Sequence, residues 1–253
     1  MRLLSVILVV LSWAWSGAQE VDSCGVVRRM DGGEKAVYVV VTGHYSIDDD
    51  GYTENFDGVE AVLGTLRRKG VKASFFPTAV TLAQPRYEAS VRRIIDEGHY
   101  LSAHSYAHLL LCDTAGRTLV TRDSVIADLR QQEHQLERYG LSKHQFLWMI
   151  PPYETCNRET AGFYTAEGYR LLSPTDGIFT GQDWTRPGTK GYWSAQRIID
   201  QLWDYERKHT LDGAILLIHA MDYPWREAKD RPYNYLGEII DLLKSKGYTF
   251  KRL

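Results

Sequence analysis

The chain has 253 residues, a formal net charge of −2, 12% aromatic residues and three cysteines. A near-neutral charge with no basic stripe excludes a nucleic-acid footprint. Three cysteines cannot all pair within one chain, which excludes a disulfide-dense scaffold; Cys112 with Cys156 is a possible pair in an oxidising compartment.

The first eighteen residues read as a secretory signal. Arg2 supplies positive charge, Leu3 to Trp15 is apolar, and Ser16-Gly17-Ala18 offers small residues before a cut at Gln19. The apolar run is short for a membrane span, and no later stretch is long enough to make one. An exported protein is therefore expected, periplasmic or extracellular, with a segment over 19–36 and one domain over 37–253. A lipoprotein anchor at Cys24 is disfavoured by Asp22 and by its distance from the apolar run.

From there strand-like and helix-like segments alternate. Val37–Thr42, Val71–Phe76, His99–Ala103, Phe146–Ile150, Tyr169–Ser173, Ala214–Ile218 and Tyr248–Phe250 are short and rich in β-branched, aromatic or aliphatic residues. Val59, Val62, Leu63 and Leu66 follow helical spacing up to Gly70. Ala195, Ile198, Ile199 and Leu202 do so behind a Ser194 cap, and Leu236, Ile239, Ile240 and Leu243 do so before Gly247. Repeated strand–helix units predict an α/β fold: a distorted barrel of about seven parallel strands in a single domain.

In such folds functional groups gather at the carboxyl ends of the strands. His44 follows the first strand, His104 and His108 the third, Pro151-Pro152-Tyr153-Glu154 the fourth, and His219 the sixth. His104 and His108 stand four apart, so on a helix both imidazoles would share a face and could converge on a metal ion. A plain loop carrying two histidines is the bland alternative.

These residues resemble those of the polysaccharide deacetylases with a NodB-homology domain, carbohydrate esterase family four. His104-Ser105-Tyr106-Ala107-His108 resembles that family's second motif, Pro151-Pro152-Tyr153 the end of the third, Asp183-Trp184 the fourth and Leu217-Ile218-His219 the fifth. Gly70-Val71-Lys72-Ala73-Ser74-Phe75-Phe76 looks like the family's second strand. The resemblance runs from about Val37 to Phe250. It implies a distorted strand–helix barrel, a divalent metal held by one Asp and the two histidines of the second motif, an Asp base steadied by an Arg, and a His acid. His219 is then the expected acid, Asp183 its partner and Trp184 a wall of the acetyl pocket, with Tyr153 beside it.

Two positions depart from the family pattern. The first strand ends Val40-Val41-Thr42-Gly43-His44, so Gly43 stands where the base Asp is expected and His44 where the metal Asp is expected. Ile150 stands where the Arg that holds the base is expected. His44, His104 and His108 would give a three-histidine site, for which zinc is the first expectation and nickel or cobalt the alternatives. A second register uses Asp48-Asp49-Asp50-Gly51 as the acidic pair, beyond the strand end; a solvated loop is the ordinary fate of such a run. Glu154 is the candidate replacement base, or else a surface glutamate on a loop.

The expected function is a secreted, metal-dependent carbohydrate deacetylase or esterase acting on N- or O-acetyl groups of a polysaccharide or oligosaccharide. A catalytically impaired carbohydrate-binding protein on the same fold is the alternative, with Trp148, Trp184, Trp193 and Tyr153 as stacking surface. In a third reading the histidines bind metal only to hold the rim together, closed by a fourth ligand such as Asp49 or Glu154.

Overall fold

Each expected strand forms, mostly shorter than its apolar segment, because ladder pairing ends before burial does. The computed structural model describes residues 18–47 and 53–253. The expected signal segment up to Gly17 and the Asp48–Gly51 run lie outside them.

β1 (Glu20–Val21) pairs antiparallel with β2 (Val27–Arg29). β3 (Ala36–Gly43) is buried at all eight positions, as a valine-rich strand covered on both faces must be. After the small hairpin of β4 (Ser46–Ile47) and β5 (Thr53–Glu54) comes α1 (Val59–Lys69), which buries Val59, Val62, Leu63 and Leu66. Gly70 ends α1 in a left-handed conformation, φ 60°, donating back to the carbonyls of Leu66 and Arg67.

β6 (Ser74–Pro77), α2 (Ala79–Leu82), α3 (Glu88–Asp96), β7 (Tyr100–Leu101) and α4 (Arg122–Arg138) follow. Next are β8 (Trp148–Met149), α5 (Arg158–Ala166), β9 (Arg170–Leu171), α6 (Ala195–Lys208), β10 (Ile215–His219), α7 (Pro232–Ser245) and β11 (Thr249–Lys251). Ser194 caps α6, its side chain accepting from the Arg197 amide.

β10, β3, β6 and β7 form a parallel sheet in that order, and β8 and β9 pair parallel beside it. β10 takes Tyr38 to Thr42 of β3, whereas β11 takes Ala36 to Tyr38 and β6 takes Val40 to Gly43. β11 and β6 thus divide one edge of β3 end to end while β10 holds the other, which is the distortion of this (β/α) barrel. Val40, Phe76, Ile150, Leu172 and Leu217 cluster together, fully or nearly fully buried. Cys24, Cys112 and Cys156 are all free thiols, so the possible Cys112–Cys156 pair is not formed. Among the described residues no helix is long and apolar enough to cross a membrane.

Candidate active site

The strand register assembles the rim. Thr42 lies opposite His219 and Gly43 opposite Pro77. Beyond the last pairs, the Ala220 amide donates to the Thr42 carbonyl at 2.8 Å, the Thr78 amide to Gly43 at 2.9 Å and the His104 amide to Pro77 at 3.1 Å. Backbone ladders therefore bring His44, His104 and His219 side by side at one end of the barrel.

His104 and His108 do converge, but on a loop and not on a helix. Ser105 and His108 have left-handed backbones, φ 65° and 56°, which a helix forbids. Asp128 on α4 holds the turn, its two carboxylate oxygens accepting from the amides of Tyr106 at 2.7 Å and Ala107 at 2.9 Å. The His108 amide donates to Ser105 Oγ at 2.8 Å. Four-residue spacing thus predicted the convergence and not its cause.

The His108 ring stands 3.7 Å from that of His44 and 4.8 Å from that of His104, centroid to centroid, with 6.0 Å between His44 and His104. His104 Nδ1 lies 2.7 Å from the Ile150 carbonyl oxygen. A carbonyl only accepts, so Nδ1 carries the proton and Nε2 keeps its lone pair, the arrangement that orients a metal-binding histidine. Burial, before any charge effect, lowers all three imidazole pKa values, that of His104 to about 4. The rings are held neutral, as ligands must be. His108 Nε2 is buried with no hydrogen-bond partner among the described residues.

Among the described residues no group of three or more His, Cys, Asp or Glu side chains is arranged closely enough to hold a metal ion as it stands. The donor chemistry nevertheless fits a zinc-type ion: three neutral imidazoles, one pinned with its free nitrogen inward and one with an orphaned buried nitrogen.

Glu154 faces this cluster, Oε1 3.7 Å from His104 Nε2. Tyr153 and Glu154 both have left-handed backbones, φ 57° and 51°. This conformation is unfavourable for side-chain-bearing residues and is held where surrounding structure imposes it. Burial pushes the Glu154 carboxyl above the usual range; the His219 charge opposes this and that of Asp183 adds to it. The Tyr153 ring packs 4.2 Å from that of His108 and is half exposed.

Across the rim, His219 Nδ1 lies 2.5 Å from Asp183 Oδ1, while the His219 backbone amide donates to Asp183 Oδ2 at 2.8 Å. Asp183 is fully buried. Both carboxylate oxygens are thus spent on one residue, fixing the ring and offsetting its positive charge when protonated. Trp184 beside it is half exposed.

Two features were illegible in the sequence. The Ile150 carbonyl orients His104 while its side chain joins the apolar core. Phe56, fully buried, fills the space beside Gly43: a Cβ there would lie 2.9 Å from Phe56 Cε2 and closer still to Cδ2. The absent side chain at position 43 is a steric requirement of this core, and nothing local in the sequence signals a contact thirteen residues away.

The profile of the polysaccharide deacetylase family matches residues 45–172, and the chain belongs to that family. The peptidoglycan-N-acetylmuramic acid deacetylase PdaA of Bacillus subtilis is 26% identical over 221 residues, 87% of this chain and 70% of that protein. An uncharacterised 30.6 kDa protein of Geobacillus stearothermophilus is 26% identical over 224 residues, 88% of this chain and 71% of its own length. Among solved structures, PdaA superposes with a TM-score of 0.63 at 22% identity, covering 94% of this chain and 93% of that one. A family 4 carbohydrate esterase pseudoenzyme from Bacillus anthracis gives 0.64 at 18% identity over 91% of this chain and 68% of that one. A mutant of that pseudoenzyme, with restored enzymatic activity, also gives 0.64. These structural likenesses carry the fold.

Proposed function

We propose that this chain is an exported, metal-dependent hydrolase that removes N- or O-acetyl groups from a polysaccharide. One observation carries the reading: three neutral imidazoles and a glutamate of raised pKa stand at the same rim as a buried Asp–His pair. His44, His104 and His108 would hold the ion, zinc first and nickel or cobalt as alternatives. Such an ion supplies Lewis acidity toward the acetyl carbonyl and a bound water of lowered pKa.

Glu154 takes the proton from the attacking water, and burial, which raises its pKa above the ordinary 4.5, makes it a stronger base than a solvated glutamate. His219, oriented by Asp183, gives a proton to the departing amine or alcohol. Tyr153 and Trp184, both half exposed at this rim, face the sugar. Peptidoglycan is the first substrate to try, since the named relative is a peptidoglycan deacetylase.

A second reading has its own observation. Phe56 and Ile150 fill with apolar groups the places where a base and its cation would stand, which favours a glycan binder with little turnover. Acetate release from acetylated oligosaccharides, with added zinc and with a chelator, separates the two. Release that needs both metal and His104, and that falls in Glu154→Gln, supports the hydrolase. Glycan binding with stoichiometric metal and no acetate supports the binder.

A further inference from the structure

Three residues beyond Asp183 stands a cation, Arg186, that the proposed reaction does not use. From His219 the rim continues to Tyr223, ring centroids 6.5 Å apart. Tyr223 stacks on Trp225 at 5.3 Å with 29° between the rings, and the Arg186 guanidinium covers Trp225 at 4.4 Å. Trp225 Nε1 donates to the Trp184 carbonyl at 3.3 Å, tying this stack to the segment that carries Asp183.

Trp225 thus packs against both Tyr223 and Arg186, which makes it a bracket for the guanidinium. Arg186 is exposed and has no ion-pair partner among the described residues. The acids that flank Trp225 along the chain are engaged elsewhere: Asp222 pairs with Arg231 at 2.9 Å, Glu227 with Lys229 at 3.0 Å, and Asp230 accepts from Tyr192 and the Ala195 amide. A guanidinium lying over an aromatic face keeps the N–H donors at its own planar edge free, the fork that takes a carboxylate bidentately. Stacking also removes much of the entropy such a contact would otherwise lose.

We propose that Arg186, braced on Trp225, is a subsite for a carboxylate on an acetylated glycan bound at His219, making an acidic polysaccharide the preferred substrate class. This rests on the glycan reading above, and binding is therefore measured apart from turnover. The probes are two acetylated oligosaccharides of matched length, a neutral chito-oligosaccharide and one with carboxylate-bearing N-acetylmuramic acid residues. Their affinities for the metal-loaded wild type and for Arg186→Gln are read by calorimetry at low and at physiological salt.

The expected result is a loss of about fivefold for the acidic ligand, shrinking with salt, and no change for the neutral one. Trp225→Leu, which keeps the charge and removes the bracket, is expected to lose part of the same preference. Equal weakening toward both ligands, or none toward the acidic one, overturns the subsite. A preference for the acidic ligand with no acetate released leaves the subsite standing and defeats the hydrolase reading instead.

Discussion

The two sides of the rim have been treated differently by this sequence. On one side Asp183 and His219 are joined by two hydrogen bonds in full burial. On the other, the strand end at Gly43 and the turn at Ile150 have apolar surroundings, with the Phe56 ring beside Gly43 and Ile150 in the barrel core. A carboxylate at 43 and a cation at 150 would each require the other, because an unpaired buried charge is costly. Their joint absence is what electrostatics demands. Glu154, from the adjoining turn, is the acid that the altered side presents to the histidines among the described residues.

If the retained side does chemistry, the largest effect comes from breaking it. His219→Ala is expected to reduce acetate release by about 10²- to 10⁴-fold, the usual contribution of a positioned acid. Asp183→Ala should lose activity and fold stability together, because it strands a buried backbone amide, at about 1–3 kcal/mol. Normal turnover in His219→Ala would mean that the two sides differ only in packing.

The altered side is tested next through Glu154. As a base it must be ionised, so activity should fall as pH drops through its pKa, which burial has raised above the ordinary 4.5. Glu154→Gln is expected to lower kcat about 10²-fold and to abolish that acidic limb. A pH profile unchanged in Glu154→Gln would assign the limb to another group and leave the altered side without a base.

Placing at 43 the carboxylate that the family resemblance led us to expect sharpens the comparison in another way. Gly43→Asp alone should destabilise the fold by about 1–3 kcal/mol, since its Cβ meets the Phe56 ring and its charge finds no cation at Ile150. Phe56→Ala is itself destabilising, but combined with Gly43→Asp it should show favourable coupling of at least about 0.5 kcal/mol. Chemical denaturation of the four proteins reads this directly. Simple additivity would show that Phe56 is not what keeps position 43 a glycine.

The strand segments and their gathering of loops at one rim were legible because burial writes itself into short apolar runs, and parallel sheets put loops and chemistry at one end. Strand ends pointed to His44, His104, His108, Glu154 and His219, while Asp183 came from the resemblance of Asp183-Trp184 to a family motif. The cause of the His104–His108 convergence was not, because two left-handed residues and a carboxylate from α4 make the turn, and spacing alone suggests a helix. Phe56 and the Arg186–Trp225–Tyr223 stack were equally silent: each is a contact between segments whose local patterns look ordinary.

The smallest effect separates the two sides at their surface. Trp184 and Tyr153 are equally exposed, 51% each, yet differently supported. Trp184 holds its neighbour Trp225 through its backbone carbonyl, so removing the indole leaves that contact intact. Trp184→Ala should therefore raise KM about five- to tenfold with kcat and stability unchanged, the value of one stacked ring. Tyr153 covers the His108 ring at 4.2 Å from a left-handed backbone, so Tyr153→Ala should change kcat as well as KM. If both substitutions moved KM alone, Tyr153 would be a sugar contact like Trp184, and the packing of its ring on His108 would have no part in turnover.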